Sequence, residues 1–584
     1  MKYSIIFFCI SFLSTGICAQ IKSVHVKVNQ VGYYINGPKQ AVYTLGKQLD
    51  SFYIVQDQTN KVVFRGSLSE QKSSQYSSTI TQLADFTTFN KAGGYRVKIN
   101  DTIHSFVFRI DASVNHELSK AAIKSYYFQR VSDELLPEFA GKWARGAGHP
   151  DNKVLIHPSA ATANRPAGFA IASPGGWYDA GDYNKYVVNS GITMGTMLSA
   201  LEDFQGYFDT LNLAIPESKD AVPDLLNEII YNLRWMLTMQ DPGDGGVYNK
   251  CTNAAFDGLV MPGITKAPRY VVQKGTAATL DFAAVTAQAS RLLKAYDRHL
   301  PGLSDSCLEA SLAAWAWAEK NPALVYNQDH MNQQFEPKIT TGGYGDRNFK
   351  DEWFWAATEL YLTTASDIYF PVIKKFLSDS MNIPTWNSVH MLGVYTLIRK
   401  VNSFPGKDQK LILQLQGELM DYADRIIGKT TSNAFGTVMG QTARDFVWGS
   451  NSVAANQSVL LINAYNISGN NYYLQHAISN LDYLLGKNAT GYCFVTGFGT
   501  KSTINPHHRP SGADGIEEPI PGFLAGGPNP GRQDKCDYEF KETETSYTDQ
   551  YCSYASNEIA INWNAPLVYI VSAVEALRKT AGLE

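Results

Sequence analysis

Two aspartates three positions apart, Asp179 and Asp182, are the side chains of this sequence best suited to acid–base chemistry. They lie in the stretch GGWYDAGDYNKY, residues 175–186. Glycines let the backbone approach a ligand closely, and the aromatic residues on both sides offer flat faces to sugar rings. The stretch therefore indicates either a carboxylate pair in a groove for a hydroxyl-rich substrate or an Asx-type turn that caps the helix after it.

A third carboxylate, Glu558, stands at the entrance to an amphipathic run near the C-terminus. Ile559 and Trp563 would desolvate this carboxyl, raise its pKa and keep it protonated as a general acid. A carboxylate in this place is also a good helix cap, because the helix dipole favours it. One residue can serve both roles.

A loop between these regions carries His507, His508 and Arg509 between two prolines. Such a run can supply metal ligands, a surface cluster or a donor array for sugar hydroxyls. No carboxylate or cysteine stands at metal-ligand spacing, and arginine presents a planar fork of donors. The donor array is therefore the preferred interpretation.

Hard oxygen ligands of the kind that calcium prefers cluster just before a predicted helix that begins at Trp353. They are Asp346, Asn348, Asp351 and Glu352. The same residues can cap that helix and interact favourably with its dipole. Both interpretations are open.

The composition limits the class of protein. A chain of 584 residues exceeds what one ordinary core supports, so we expect two or more domains. Aromatic residues reach 12% and charged residues only 18%, which favours aromatic-lined clefts. A formal charge of −4 gives no electrostatic reason to expect nucleic acid or an anionic membrane as a partner.

The first nineteen residues are typical of an export signal. Lys2 supplies the positive end, Ile5 to Leu13 form an apolar run too short to span a bilayer, and Ala19 is a small residue for cleavage. We therefore expect a periplasmic or extracellular protein. Cys18 would permit lipid anchoring at the outer membrane instead. Because the residue before it, Ile17, is bulky, lipidation is the second interpretation.

Cysteine usage does not indicate a disulfide scaffold. Five cysteines remain after the predicted signal, an odd number, so at least one thiol must be unpaired. Their spacing matches no zinc ribbon. Cys536 and Cys552 are close enough in sequence to pair across a loop.

Two periodicities divide the chain. From Val24 to about Ile110 short runs alternate apolar and polar residues, as in an antiparallel sandwich of immunoglobulin type. From there to the C-terminus, three- and four-residue spacing predicts helices. The predicted helices cover 113–131, 185–206, 221–239, 275–299, 304–320, 351–366, 367–379, 385–402, 408–427, 452–467, 471–486 and 556–581. The predicted division is a signal at 1–19, a β-domain at 20–111 and a helical domain at 112–584.

Twelve helices suggest six α-hairpins closed into a toroid, although a solenoid also fits the count. Long loops rich in glycine, proline and aromatic residues join them, and loops of such length are uncommon unless functional. They are 132–184, 240–274, 321–350, 429–451 and 487–555. We therefore expect the site at one end of the toroid.

These motifs together resemble family 9 of the glycoside hydrolases, in the branch that carries an N-terminal immunoglobulin-like domain. The resemblance rests on VNQVGY at 28–33, GWYDAGD at 176–182, FVWGSN at 446–451, LLGKN at 484–488, PHHR at 506–509 and Asn557-Glu558. It implies a multidomain chain in which an all-β sandwich precedes an all-α (α/α)6 barrel.

The resemblance also implies roles. Asp182 would be the base that activates water, Asp179 would help to hold that water, and Glu558 would protonate the leaving oxygen. Inversion of this kind needs carboxyl groups about 6.5–9.5 Å apart. We expect substrate to be bound by His507, Arg509, Asp549, Tyr554, Trp448, Trp563 and Tyr178.

Some positions depart from the family pattern. Relatives bind zinc through cysteines before the base motif, but Val131-Ser132 and Gly148-His149 occupy that region here, so no zinc is expected. Asn249 stands where relatives often have histidine, which leaves substrate preference open. Positions similar to 346–352 bind calcium in several relatives, with Asn387 a candidate for a further ligand.

The sequence as a whole predicts an exported, inverting endo-β-1,4-glucanase that requires no cofactor for its chemistry. Its partner would be a β-glucan polysaccharide or oligosaccharide: cellulose-like chains, mixed-linkage glucan or xyloglucan. No cellulose-binding module is apparent, which favours soluble or branched glucans. The alternatives are an exo-acting β-glucosidase or glucosaminidase and a non-catalytic carbohydrate-binding protein on the same scaffold.

Overall fold

The computed structural model describes residues 25–584, apart from the side chains of 406 and 407. The predicted export signal and Cys18 lie outside the described residues. Within 25–584, no helix combines the length and the apolarity that crossing a bilayer requires.

Nine strands form the first domain as two sheets that share one core. The sheets have the orders β1-β3-β7-β6 and β2-β9-β8-β4-β5. Phe52 and Ile54 alternate inward along one strand and are fully buried, as the period-two pattern requires. The predicted sandwich is confirmed. The strands are β1 Val26–Lys27, β2 Gly32–Tyr33, β3 Gln40–Tyr43, β4 Ser51–Gln56, β5 Val62–Ser67, β6 Lys72–Ser73, β7 Ile80–Asp85, β8 Gly93–Lys98 and β9 Phe108–Ile110.

The second part of the chain is mainly helical, and all twelve predicted helices are present. Four shorter helices (α2, α7, α14 and α15) lie in the connecting loops. The helices are α1 His116–Phe128, α2 Pro137–Ala140, α3 Val187–Phe208, α4 Asp224–Thr238, α5 Thr276–Leu293, α6 Leu303–Lys320, α7 Gln328–Gln334, α8 Lys350–Thr364, α9 Phe370–Phe376, α10 His390–Arg399, α11 Gly406–Ile427, α12 Ser450–Ser468, α13 Asn471–Leu484, α14 Arg509–Ala513, α15 Tyr554–Asn557 and α16 Ile561–Leu577.

The long helices alternate between an inner and an outer ring. Helix α5 is buried from Thr276 to Ser290, and α16 is buried over most of its length, which is typical of helices enclosed on all sides. Helix α16 packs against both α12 and α3. Because the last helix contacts the first inner helix, the ring is closed. The (α/α)6 barrel is therefore confirmed, and the solenoid is excluded.

One expectation about the helical part was wrong. We expected helical periodicity to continue from Ile110 to the end, but a five-stranded sheet lies among the loops, in the order β11-β10-β14-β13-β12. Its strands have only two to four residues, too few to display alternation, and β13 is buried at every position. They are β10 Val154–Ile156, β11 Ala170–Ile171, β12 Lys185–Tyr186, β13 Lys250–Asn253 and β14 Arg269–Val271.

The β-domain docks on the barrel through polar contacts of the loop between β1 and β2. Asn29 Nδ2 donates to Asp482 Oδ1 at 2.8 Å, and the Gln30 backbone amide donates to the Leu485 carbonyl at 2.9 Å. Tyr34 Oη donates to Glu575 Oε1 on α16 at 2.5 Å. The sandwich thus holds the last outer helix and the last inner helix of the barrel.

Candidate active site

A cavity of about 540 Å³ opens at one end of the barrel, and all three carboxylates singled out from the sequence, Asp179, Asp182 and Glu558, form part of its wall. Aromatic side chains supply much of the remaining surface, which suits the flat faces of sugar rings. They are Tyr186, Phe256, Tyr344, Trp386, Trp448 and Trp563. Of these, Trp448 and Trp563 were expected to bind substrate.

The two aspartates differ in how their oxygen atoms are engaged. Asp179 accepts from Asn189 Nδ2 at 2.5 Å through one oxygen and from Tyr344 Oη at 2.8 Å through the other. Asp182 uses only Oδ2, which accepts from Asn184 Nδ2 at 2.5 Å and from Tyr186 Oη at 3.0 Å. Within residues 25–584, no group donates to Asp182 Oδ1. This atom is therefore the carboxylate oxygen available to a water molecule.

The pKa of Asp179 distinguishes it further from its neighbour. Burial, reinforced by the charge of Asp182, raises the pKa of Asp179 to about 8, although the hydrogen bonds from Asn189 and Tyr344 oppose the shift. Two adjacent carboxylates avoid carrying two charges at once. At neutral pH the carboxyl of Asp179 therefore favours its protonated form.

Glu558 lies in an environment suited to a proton donor. Burial raises the pKa of its carboxyl well above the ordinary value, and the charges of Asp182 and Asp179 add to the effect. Arg509 and the Gly181 backbone amide oppose the shift without cancelling it. A carboxyl whose pKa is raised in this way, in the same cavity as a carboxylate that can bind water, has the properties of a general acid.

Backbone hydrogen bonds join the loop of the two aspartates to the segment that carries Glu558. The Ile561 amide donates to the Asp179 carbonyl at 2.8 Å, and the Arg509 amide and Nη1 donate to the Gly181 carbonyl at 3.2 and 2.7 Å. A Cβ atom at position 181 would lie 2.1 Å from the His507 carbonyl oxygen. Only glycine therefore permits this approach.

Several residues expected to bind substrate do not line the cavity. Arg509 donates to the Gly181 and Asp257 carbonyls, and Asp549 accepts from the Ile504 and Asn505 amides. Both side chains therefore help to hold loops, and substrate binding by Arg509 or Asp549 remains a prediction.

Two aromatic residues of the same prediction stand behind the cavity wall. His507 Nδ1 lies 2.7 Å from the Tyr551 carbonyl oxygen, and the Tyr554 ring packs 5.5 Å from that of Trp448. Tyr554 thus supports Trp448, which faces the cavity, and His507 packs against Tyr554 in turn. Sequence reasoning missed three residues that face the cavity, since no motif surrounds them: Tyr344 and Phe256 in long loops, and Trp386 at the start of the predicted helix 385–402.

Tyr178 was also expected to bind substrate, and the structure corrects this. Its side chain is buried on the opposite side of the loop from Asp179, where its hydroxyl lies 2.9 Å from His149 Nδ1 and its ring packs on Tyr183. A Cβ at Gly148 would lie 2.2 Å from its hydroxyl oxygen. Tyr178 and Val131 therefore fill the space beside Gly148.

Four buried carboxylates form an acidic cluster beside the cavity: Asp281 on α5 with Asp346, Asp351 and Glu352. Both oxygens of Asp281 and of Glu352 have no hydrogen-bond partner, and burial together with mutual repulsion raises the pKa of each. Within 25–584 no three acidic, histidine or cysteine side chains are already arranged as a metal-binding group.

The predicted calcium ligand set needs correction in its members. Asn348 is exposed, and the proposed downstream ligand Asn387 lines the substrate cavity, where its amide oxygen accepts from Thr385. Asp281, which comes from a different helix, faces the cluster instead. Sequence reasoning could not find it, since nothing local marks a buried aspartate in an apolar helix.

The loop between α14 and α16 is cross-linked. Cys536 and Cys552 form a disulfide with their Cα atoms 5.9 Å apart, which confirms the pairing considered from the sequence. The thiols of Cys251, Cys307 and Cys493 are free and buried. Asp534, two residues before Cys536, accepts from Ser553, Tyr538 and the Ala555 amide, so the chain is fixed just before Glu558.

Comparison with known proteins agrees with this architecture. Residues 116–571 match Glycosyl hydrolase family 9, and residues 22–103 match the cellulase N-terminal ig-like domain. The xyloglucan-specific endo-β-1,4-glucanase of Bacteroides ovatus is 47% identical over 94% of each chain. Endoglucanase D of Acetivibrio thermocellus is 32% identical over 94% of this chain and 83% of its own.

A solved structure described as Bacteroides ovatus GH9 superposes with a TM-score of 0.91 and 45% identity. The match covers 95% of this chain and all of the other. The two domains therefore occur together in a known structure with the same relative arrangement of elements.

We predict that Gly181→Ala lowers Tm by several degrees, because the added Cβ would displace the His507 backbone and break the contact between the two loops. Gly146→Ala is the matched control, since its Cβ would meet no atom within 4 Å. Thermal unfolding of both variants is the measurement. An unchanged Tm for Gly181→Ala would show that the two loops do not approach as described.

Proposed function

Since the chain belongs to glycosyl hydrolase family 9, we propose that it cuts branched β-1,4-glucans of the xyloglucan type by an inverting mechanism. The protein is an endo-β-1,4-glucanase, as its relatives are. The observation that carries the mechanism is one cavity containing the free Oδ1 of Asp182 and the high-pKa carboxyl of Glu558.

In this mechanism Asp182 takes a proton from a water molecule through Oδ1 while the water attacks the anomeric carbon. Asp179, held by Asn189 and Tyr344, helps to orient the same water. Glu558 donates its proton to the leaving glycosidic oxygen on the opposite face of the sugar. A single displacement follows, and the new reducing end has the α configuration.

The proposed substrate class has two supports. The relative that is 47% identical is named as xyloglucan-specific. In addition, the cavity walls present apolar side chains to solvent: Phe256 is 48% exposed on one side, and Val447 and Trp448 are 41% and 43% exposed. Exposed apolar surface at a cleft usually marks a binding site, and pendant sugars of a branched glucan would cover it.

We propose that the protein is exported, as residues 1–19 indicate, and that catalysis needs no metal. A calcium ion held by Asp351 and Glu352 would offset the repulsion within the acidic cluster. Zinc is not expected, because Val131, Tyr178 and Gly148 supply no thiolate ligand where relatives bind it.

Initial rates on xyloglucan, mixed-linkage glucan and a soluble cellulose derivative test the substrate class. We expect kcat/KM to be highest on xyloglucan by at least about tenfold, a difference of about 1.4 kcal/mol in transition-state binding. Product sizing should show early internal cuts. Equal rates on unbranched chains would refute the preference for branches, and release of single small products from the start would refute endo action.

We predict that Asp182→Ala lowers kcat by at least about 10²-fold, since Oδ1 of Asp182 accepts no hydrogen bond within residues 25–584 whereas both oxygens of its neighbour Asp179 are engaged. Substrate binding, measured by titration calorimetry, should persist. A variant with near wild-type kcat would remove Asp182 from the role of base.

Stereochemistry and leaving-group dependence test Glu558. Proton NMR in the first minutes of hydrolysis, before mutarotation, should detect α-anomers. Glu558→Gln should lose far more activity on polysaccharide than on an aryl glycoside, whose leaving group hardly needs a proton. Initial β-anomers would mean double displacement, and equal losses on both substrates would mean that Glu558 is not the acid.

Metal dependence gives a further prediction with a definite sign. Because folding raises the pKa values of the buried acids in the cluster, the folded state loses stability as the pH rises through those pKa values. A calcium ion would offset the repulsion between the ionised groups. Calcium should therefore raise Tm by at least about 2 °C at pH 7 and less at pH 5. Glu352→Gln should abolish the calcium response. A Tm that changes with neither calcium nor chelator would refute the calcium site.

Elemental analysis tests the zinc prediction separately. One zinc per chain would refute the inference, drawn from Val131 and Tyr178, that no zinc binds there.

A further inference from the structure

We propose that Lys250 is the counter-charge of Asp182 and acts on it through Tyr186. Lys250 does not line the cavity, so its role is that of a positioning residue. The inference rests on the proposed function, because it assigns Lys250 to the carboxylate that activates water.

Among residues 25–584, no carboxylate forms a direct ion pair with Lys250. Its buried ammonium group donates to Gln328 Oε1 at 2.6 Å, to Thr341 Oγ1 at 3.0 Å and to the Gly342 carbonyl at 2.6 Å. These three acceptors satisfy its three donors, and all are neutral. The side chain is therefore held in one place without an ion pair.

Other buried lysines near the five-stranded sheet of β10 to β14 have a carboxylate as a direct partner. Lys185 lies 2.7 Å from the Asp151 carboxylate, and Lys274 lies 2.7 Å from that of Asp241. A buried ammonium without such a partner is costly unless a negative charge lies nearby. The acid whose charge supports the protonated form of Lys250 is Asp182.

A continuous set of contacts links the two residues. Lys250 and Tyr186 face each other across the antiparallel pair β12 and β13, and Nζ lies 5.4 Å from the centre of the Tyr186 ring. A cation near the face of a phenol ring is attracted to it and makes the hydroxyl a stronger donor. That hydroxyl donates to Asp182 Oδ2 at 3.0 Å, which leaves Oδ1 for water.

The backbone of Gly342 contacts both Tyr186 and Lys250. Its amide donates to the Tyr186 hydroxyl oxygen at 3.1 Å, while its carbonyl accepts from Lys250. Lys250 thus fixes both the ring and the backbone amide that hold the donor to Asp182.

The charges around the base explain why a cation is needed. Asp182 shares the cavity with Asp179 and Glu558, and its charge raises the pKa of both. His507 is a further neighbour, whose own pKa is lowered by burial. Lys250 faces the phenols of Tyr186 and Tyr326 and has its pKa lowered to about 7 by burial. It is therefore protonated over the acidic range in which a carboxylate base titrates.

The test is the pH profile of kcat/KM on a β-glucan for the full-length protein. Lys250→Met should move the acidic limb upward by about one pH unit, because loss of a nearby cation raises the pKa of a carboxyl. Lys250→Arg, which keeps the charge, should retain the wild-type limb. Lys274→Met is the matched control: it removes another buried lysine and should cost stability without moving the limb.

An acidic limb in Lys250→Met that coincides with that of the wild type would overturn the inference. Where Lys250→Met does not fold, Lys250→Gln takes its place with the same expected shift. Failure of the proposed function is a separate result, seen in the wild type as absence of β-glucan hydrolysis or release of β-anomers. An inverting wild type with an unshifted variant rejects the role of Lys250 alone.

Discussion

The close contact between the Gly181 loop and the segment from His507 to Ile561 is the interaction on which the site depends. It joins residues that are far apart in sequence, and it requires both a glycine and a closed ring, since α16 must return to α3 before the two segments can meet. The acid and the base are thus fixed by backbone hydrogen bonds. Long flexible side chains do not set their separation.

The second constraint is electrostatic. One cavity holds three carboxyls, and burial raises the pKa of Asp179 to about 8 and that of Glu558 well above its ordinary value. The water-activating role of Asp182 therefore depends on specific donors. Asp182 receives two neutral donors on one oxygen, and the buried cation Lys250 stands behind one of them. The same burial that makes Glu558 an acid therefore creates the need for compensation at Asp182.

The sequence was sufficient for the fold because twelve amphipathic or buried runs and a block of alternating runs are long enough to display their periods. It was also sufficient for the three carboxylates, whose residue types and neighbours carry the chemistry. Side-chain direction within irregular loops was not accessible. Tyr178 has the composition of a sugar platform, yet the turn at Gly176 points it into a buried cluster, and Arg509 uses its donors on carbonyls. Asp281 could be assigned to the acidic cluster only after α5 and α8 were packed together.

The β-domain also helps to hold the segment that carries Glu558. Tyr34 contacts Glu575 on α16, and α16 begins at Ile561, whose amide holds the Asp179 carbonyl. From another side, Ser77 and Ser78 contact Glu544 and Glu542, in the disulfide-linked loop that precedes Glu558. The sandwich therefore braces the acid-bearing segment at both of its ends. Because these contacts lie away from the cavity lining, the docked β-domain adds rigidity to the site from behind.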